Sequence, residues 1–246
     1  MKTSNNTVLI TGGGAGIGFQ TAKLLSEKGN HVIITGRNAG TLEKAAAQLK
    51  NVTAIVSDVS KEEDVNALVK RLQAEFPALN IVINNAAAAE VYKLEAGVNA
   101  YAKASHEIHT NFLSVIRLNE LLLPLLEKQA ESAIVNVSSI VAISPGARLP
   151  GYAASKAALH SYTQVLRHTL SATNVKVFEL MPPLVNTEFS KEIGGENGMP
   201  PAAVAAAFVE ALATDNYEIH VGNTADFYKL FLSSPAEAFK VLNTRE

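Results

Sequence analysis

Seven short runs rich in Val, Ile and Thr, at 7–11, 31–35, 53–57, 81–84, 133–137, 176–180 and 218–221, are separated by longer amphipathic segments at 16–28, 39–50, 61–76, 97–128, 151–171 and 201–213, with a last one at 225–240. Runs of strand length that alternate with segments of helical period build βαβ units, which lay parallel strands side by side under helices on both faces. The alternation predicts an α/β chain, doubly wound around a seven-stranded parallel sheet. Ligands of such sheets sit beyond the carboxyl ends of the strands, near the point where strand order reverses. Functional residues are therefore expected directly after the strands.

No Pro/Gly/Ser-rich linker or charge run divides the 246 residues, so one domain spanning 1–246 is expected. With 48% hydrophobic and 18% charged residues, the chain has ample material for a large core. A formal net charge of -2, with Lys and Arg dispersed, excludes the basic face that nucleic acid requires. Cysteine is absent, which excludes disulfides and thiolate metal sites. Residues 1–7 are polar and run straight into Val8-Leu9-Ile10 without a leader-like pattern, so a cytoplasmic location is expected. Apolar runs are too short for membrane insertion. The stretch 186–200 is polar, contains Gly194, Gly195 and Gly198, and has no period; it is expected to be a mobile substrate loop.

The first strand leads into Thr11-Gly12-Gly13-Gly14-Ala15-Gly16-Ile17-Gly18 and then a helix. In that context backbone N–H groups and the helix N-terminus can receive a pyrophosphate, and glycines permit positive φ and close approach. The run fits T-G-x-x-x-G-x-G at Thr11, Gly12, Gly16 and Gly18, which makes the expected fold a Rossmann-type dinucleotide binder. After the second strand the chain reads Thr35-Gly36-Arg37-Asn38. An acid here would bind the ribose 2′-hydroxyl of NAD, whereas an arginine suits the 2′-phosphate of NADP, so NADP(H) is expected over NAD(H). Asp58, after the third strand, is suited to the adenine amino group or to capping the next helix, a role for which Ser60 competes.

Tyr152 and Lys156 lie four apart on a predicted helix and share one face. A nearby ammonium favours the phenolate and brings a tyrosine towards the range useful for proton transfer. Ser139 stands 13 positions before Tyr152, where its hydroxyl can meet a substrate oxygen; Ser138 competes for that role.

At these residues the chain resembles the short-chain dehydrogenase/reductase family in its single-domain form. The resemblance rests on TGGGAGIG, Asp58-Val59, Asn84-Asn85-Ala86-Ala87, Asn111, Ser138-Ser139, Tyr152-Ala153-Ala154-Ser155-Lys156 and Pro182-Pro183-Leu184-Val185-Asn186-Thr187. It implies an oxidoreductase that interconverts a carbonyl and a secondary alcohol, with Tyr152 as general acid or base. Lys156 then lowers the tyrosine pKa and binds the nicotinamide ribose, Ser139, selected ahead of Ser138, orients the carbonyl oxygen, and Asn111 supports a water in the proton relay. Cofactor contacts are expected from Thr11, Gly12, Gly16, Ile17, Gly18, Arg37, Asp58, Val59, Asn85, Ala86, Pro182, Val185 and Thr187. The family usually carries glycine where this chain has Ala87 and Pro183, and proline removes a backbone donor beside the nicotinamide. HTNFLSVIRL, LHSYTQVLRHTL and FELMPPLVNTEF look most like a bacterial subgroup named for an association with D-alanine esterification of teichoic acids. The family also implies self-association, as a homodimer or homotetramer, through the helices at 97–128 and 151–171.

A dinucleotide-binding sensor or scaffold without turnover is the alternative function, since fold alone does not establish activity. A sugar-nucleotide epimerase needs a further substrate domain for which the length leaves no room. His106 and His109 lack a third ligand and read as surface histidines, so no metal is expected. His160, His168 and Tyr162 read as packing or interface residues. The segments 88–100, 140–151 and 188–200 shape the pocket, in which Val91, Tyr92, Ile143, Leu149 and Phe189 outweigh Glu90, Arg148 and Lys191; a moderately apolar carbonyl compound, or its alcohol, is the expected small-molecule substrate.

Overall fold

A computed structural model describes residues 1–244. The strands β1 (Thr7–Thr11), β2 (His31–Gly36), β3 (Val52–Val56), β4 (Leu79–Asn84), β5 (Ser132–Val137), β6 (Val175–Met181) and β7 (Glu218–His220) form one sheet in the order β3-β2-β1-β4-β5-β6-β7. Every pairing is parallel. The doubly wound, seven-stranded sheet expected from the alternation is the sheet observed.

The central strands are apolar without alternation because helices cover both faces. Val8 and Ile10 of β1, with Val32 and Ile34 of β2, pack under α1 (Gly16–Glu27), α2 (Ala39–Ala46) and α7 (Pro201–Thr214). Leu9, Ile33 and Val82 face the opposite way, towards α3 (Glu62–Glu75) and α5 (Ser114–Leu126), and the end of α6 (Pro150–Thr169) adds Leu166 and the following Leu170. A third cluster closes the β6 end, where Ala153, Met181, Phe227 and Ala238 join α6 to α8 (Thr224–Ser233) and α9 (Pro235–Asn243). Strand order reverses at β1, which lies between β2 and β4, so the crevice for a ligand opens between the carboxyl ends of β1 and β4.

Three expected helices differ from those formed. The segment 97–128 is not one helix: α4 (Ala100–Ile108) passes through a π turn at His109–Leu113 into α5, and Asn99 before it takes φ +54°. Asn111 lies inside that π turn, a local widening that often marks a functional position. The segment 225–240 is split at Ser234-Pro235, because proline cannot continue α8 but is well placed to start α9; the Ser234 hydroxyl accepts from Glu237 N–H. Helix α2 stops at Ala46, short of position 50.

The stretch 186–200 is not featureless. It carries short 3-10 turns at Glu188–Ile193 and Gly195–Asn197, and a parallel bridge between Val185 and Met199 ties its ends. Ser190 donates to the carbonyls of Val185 and Thr187 from inside the loop. No described helix is long and apolar enough to cross a membrane.

Candidate active site

The glycine run after β1 is packed too tightly for side chains. Gly12 and Gly16 take φ +66° and +55°, and a Cβ at Gly12 would lie 3.0 Å from Ala86 Cα. A Cβ at Gly18 would strike the Gly12 carbonyl oxygen and come within 2.5 Å of Asn85 Nδ2. The loop is locked to β4 from below: Thr11 Oγ1 accepts from the N–H groups of Asn85 and Ala86, both at 3.0 Å, and Asn85 Nδ2 donates to the Thr11 and Gly12 carbonyls at 2.9 and 3.2 Å. Thr11 and Asn85 thus shape the crevice through these bonds. The bare backbone of Gly12–Gly18 with the N-terminus of α1 forms a cradle of the size and polarity that fit a pyrophosphate. Ala86 adjoins Gly12, and Thr187, from the loop after β6, packs against Gly16, so that loop reaches across to the cradle. Val185 is buried below it, and Pro182 accepts a hydrogen bond from Ile140 N–H at 2.9 Å.

Arg37 is exposed at the end of β2 and close enough to Asp58 for its charge to act on that carboxylate. Burial opposes the charged Asp58, but the two bonds from Ser60, with Arg37 and Lys61, outweigh it and hold the carboxyl below its usual range. Asp58 Oδ1 accepts from Ser60 N and Oγ at 3.0 and 2.7 Å, a tight turn before α3 that leaves its other oxygen for a further donor. Neither Asp58 nor Ser60 is the N-cap of α3; that residue is Lys61, and it makes no side-chain cap bond. Val59 is buried beside Asp58.

Beyond β5, Tyr152, Lys156 and Ser139 come together. The Lys156 ammonium lies 5.5 Å from the centroid of the Tyr152 ring and donates to the Val137 carbonyl at 2.7 Å. Ser139 lies close enough to the Tyr152 phenol to act on it, and its hydroxyl accepts from Val141 N–H at 3.3 Å. Ser138 does not compete: its hydroxyl is buried and given to Glu179 at 2.5 Å. Asn111 uses its whole amide. Its oxygen accepts from Ala88 N–H at 2.8 Å, and its nitrogen donates to Ala88 O at 2.8 Å and to Ser155 Oγ at 2.9 Å. Both amide hydrogens are thereby spent.

Burial pushes the Tyr152 phenol up to about 12, against the hydrogen bond from Ser139, while the Glu107 charge adds to the rise. Burial also brings the Lys156 ammonium down to about 8, with Glu179 acting in the opposite direction. In the protein without a dinucleotide, desolvation dominates both groups.

Two buried acids were not singled out in the sequence, Glu107 and Glu179, both fully buried. Glu107 accepts from Glu90 N–H at 2.9 Å and packs against Tyr92 and Gly151, at the start of α6. The signals were present: an acid one turn before Asn111 on the same helix face, and a lone acid inside the apolar strand VKVFELM. Two histidine expectations also change. His109 is no free surface group, since its Nε2 bonds the Ser60 carbonyl at 2.9 Å, and His160 is paired with Glu179. Among the described residues no cluster suited to a metal ion is present.

A glycine cradle at the switch point of a doubly wound sheet, facing a Ser-Tyr-Lys cluster, defines a dinucleotide-type oxidoreductase. The model of the short chain dehydrogenase family matches residues 6–198, and the chain belongs to that family. It is 37% identical to DltE of Bacillus subtilis, described as an uncharacterized oxidoreductase, over the full length of both chains. An uncharacterized oxidoreductase of Staphylococcus aureus is 31% identical, covering 85% of this chain and 91% of that one. Among solved structures, a short chain dehydrogenase from Burkholderia cenocepacia in complex with NADP superposes with a TM-score of 0.86 at 23% identity, over 98% of each chain. A short chain dehydrogenase/reductase from Burkholderia phymatum in complex with NAD gives 0.85 at 20% identity, over 98% of this chain and 95% of that one. These two likenesses concern the fold; the full-length match to DltE agrees with the subgroup resemblance in the sequence.

Proposed function

We propose that the chain interconverts a moderately apolar carbonyl compound and its secondary alcohol with NADP(H), using Tyr152 as the proton-transfer group. The observation that carries this reading is the Lys156 ammonium 5.5 Å from the centroid of the Tyr152 ring, with Ser139 near the phenol. When bound, the reduced nicotinamide supplies the hydride. The backbone of Gly12–Gly18 and the α1 terminus hold the pyrophosphate, Arg37 meets the 2′-phosphate, and the free oxygen of Asp58 accepts from the adenine amino group. Val59, Ala86, Pro182, Val185 and Thr187 line the remaining path.

Ser139 donates to the substrate oxygen and fixes the carbonyl at Tyr152. In reduction the Tyr152 hydroxyl gives its proton to that oxygen as the carbonyl carbon accepts the hydride; in oxidation the phenolate takes the proton back. The Lys156 ammonium stabilises the phenolate that forms, and a cationic nicotinamide beside it adds to the same effect, which counters the desolvation of Tyr152. Asn111 holds α6 in place by its bond to Ser155 and offers the π-turn main chain to a relay water. Phe189, whose ring centroid is 5.9 Å from that of Tyr152, covers the pocket with an apolar face. Exposed Tyr101, Leu113 and Val165 on α4, the π turn and α6 support assembly of copies through these helices.

The test is a panel of aliphatic and aromatic ketones and aldehydes with NADPH and NADH, on wild type and Tyr152→Phe. A rate that depends on NADPH and falls by at least about 10²-fold in the variant is expected, the usual scale of general acid–base catalysis. Tight NADPH binding without any Tyr152-dependent turnover would decide for a dinucleotide sensor.

A further inference from the structure

Glu179 is an acid in the middle of a core strand. Its side chain has no exposure, and a buried carboxylate is costly unless it is hydrogen-bonded and faces a positive group. Two partners hold it: Ser138 Oγ donates to Oε1 at 2.5 Å, and His160 Nδ1 lies 3.0 and 2.9 Å from Oε1 and Oε2. His160 follows Lys156 by one turn of α6, so both side chains descend from one helix face onto the sheet. Lys156 reaches the carbonyl of Val137, which pairs with Leu180, while Glu179 pairs with Asn136 on the same two strands. The Glu179 carboxylate, from β6, and the Lys156 ammonium, from α6 and bonded to a carbonyl of the adjacent β5, therefore approach one region of the sheet on its α6 side.

We propose that Glu179 is a positioning residue for catalysis, the buried counter-charge that keeps the Lys156 ammonium charged, with Ser138 and His160 fixing its orientation. The inference rests on the catalytic role given to Lys156 above. The direction of the Lys156 shift agrees, because burial drives it down and Glu179 alone opposes. The other charged groups nearby are accounted for. Arg167 of α6 binds Glu218 of β7 at 2.9 Å, and burial pushes His220 of β7 down, towards its neutral form. The hydrogen bond from Glu179 holds His160 above its usual value, so the imidazole, when protonated, shares the carboxylate with Lys156 and offsets part of its charge. Glu107 acts on Tyr152, from the far end of the site. A Ser-His-acid hydrolytic arrangement is excluded, because Ser138 donates to the carboxylate instead of the imidazole and is buried.

The test needs no turnover. In protein labelled with 13C at lysine Cε, the Lys156 resonance, assigned by its absence in Lys156→Arg, is titrated in wild type and Glu179→Gln, a change that keeps shape and removes charge. The midpoint is expected to fall by about one pH unit, the scale of one close charge; a midpoint unchanged within about 0.2 unit overturns the proposal. His160→Gln retains the charge and should leave the midpoint at or above that of wild type. A fall there, like that of Glu179→Gln, would show that only the packing of the cluster matters, and this arm stands if Glu179→Gln does not fold. In reduction of a carbonyl probe from the panel, loss of the charge should move the alkaline limb of kcat/KM to lower pH with the same displacement. A shifted midpoint with an unmoved limb supports the counter-charge while refuting the catalytic role of Lys156, which separates the two readings.

Discussion

Asn111 donates to the hydroxyl of Ser155 at 2.9 Å, and Ser155 in turn donates to the Tyr152 carbonyl at 2.7 Å, so the π turn between α4 and α5 is bonded to the N-terminal part of α6, which carries Tyr152. The same amide binds Ala88 on both its N–H and its C=O. Asn111→Ala removes three hydrogen bonds, to the half-buried N–H and C=O of Ala88 and to the Ser155 hydroxyl, each worth about 0.5–1.5 kcal/mol. Urea unfolding should report a loss of about 3 kcal/mol, with a lower kcat from misplaced Tyr152. Asn111→Asp keeps the acceptor and should lose less; equal losses would mean that the retained acceptor contributes nothing and the donors carry the whole effect.

Gly18 and Gly14 make an internal control for the cradle. A Cβ at Gly18 meets the Gly12 carbonyl, which is backbone and cannot move aside, whereas one at Gly14 first meets the Thr41 methyl at 3.2 Å. Gly18→Ala should cost roughly 2–4 kcal/mol by overpacking and abolish the quenching of cofactor fluorescence. Gly14→Ala should bind cofactor far better than Gly18→Ala, since its Cβ meets the ends of the Thr41 and Leu42 side chains, which can give by a few tenths of an ångström, and no backbone atom closer than 3.7 Å. If Gly14→Ala also abolishes binding, steric room at Gly18 is not what the cradle requires.

The sheet was legible because strand and helix periods differ, and β1, β2 and β4–β6 are apolar on both faces as their burial demands. The π turn was not legible: HTNFL carries the same helical period as its neighbours, and only the pull of Asn111 towards Ala88 and Ser155 widens the chain there. The split at Pro235 was written in the sequence as a helix-starting proline and was overlooked within a longer amphipathic pattern. For the site, the order Thr11, Asn111, Ser139, Tyr152, Lys156 was readable as spacing. What Ser138, Glu107 and Glu179 do depends on contacts between residues 41, 17 and 19 positions apart, which no local pattern encodes.

Arg37 decides the cofactor if the NADP(H) proposal holds. It is exposed beside Gly36, with Asp58 as the charged group across the crevice. Arg37→Ala removes a charge-assisted contact of about 2 kcal/mol with a 2′-phosphate, equivalent to roughly 30-fold in Kd. Calorimetric titration should give that loss for NADPH and a change under about threefold for NADH. Parallel losses for both would mean that Arg37 touches a part common to the two dinucleotides.

Lys156 should lower the stability of the protein that needs it. Its buried ammonium titrates at about 8, below the value near 10.4 of an unfolded chain. Below pH 8 both states carry the proton and the full cost of burying the charge is present. Between pH 8 and about 10.4 the unfolded chain binds more protons than the native one, so native stability rises with pH. Tyr152, held up to about 12, and every other group are common to wild type and Lys156→Met, so they largely cancel in the difference between the two. Urea unfolding of both proteins from pH 7 to 10.5 should therefore give a difference that moves in favour of wild type by up to about 3 kcal/mol over that interval. Lys156→Met should lack turnover at every pH. A difference independent of pH would mean that the ammonium is solvated in the native protein, and the desolvation that sets both catalytic groups would be lost as an explanation.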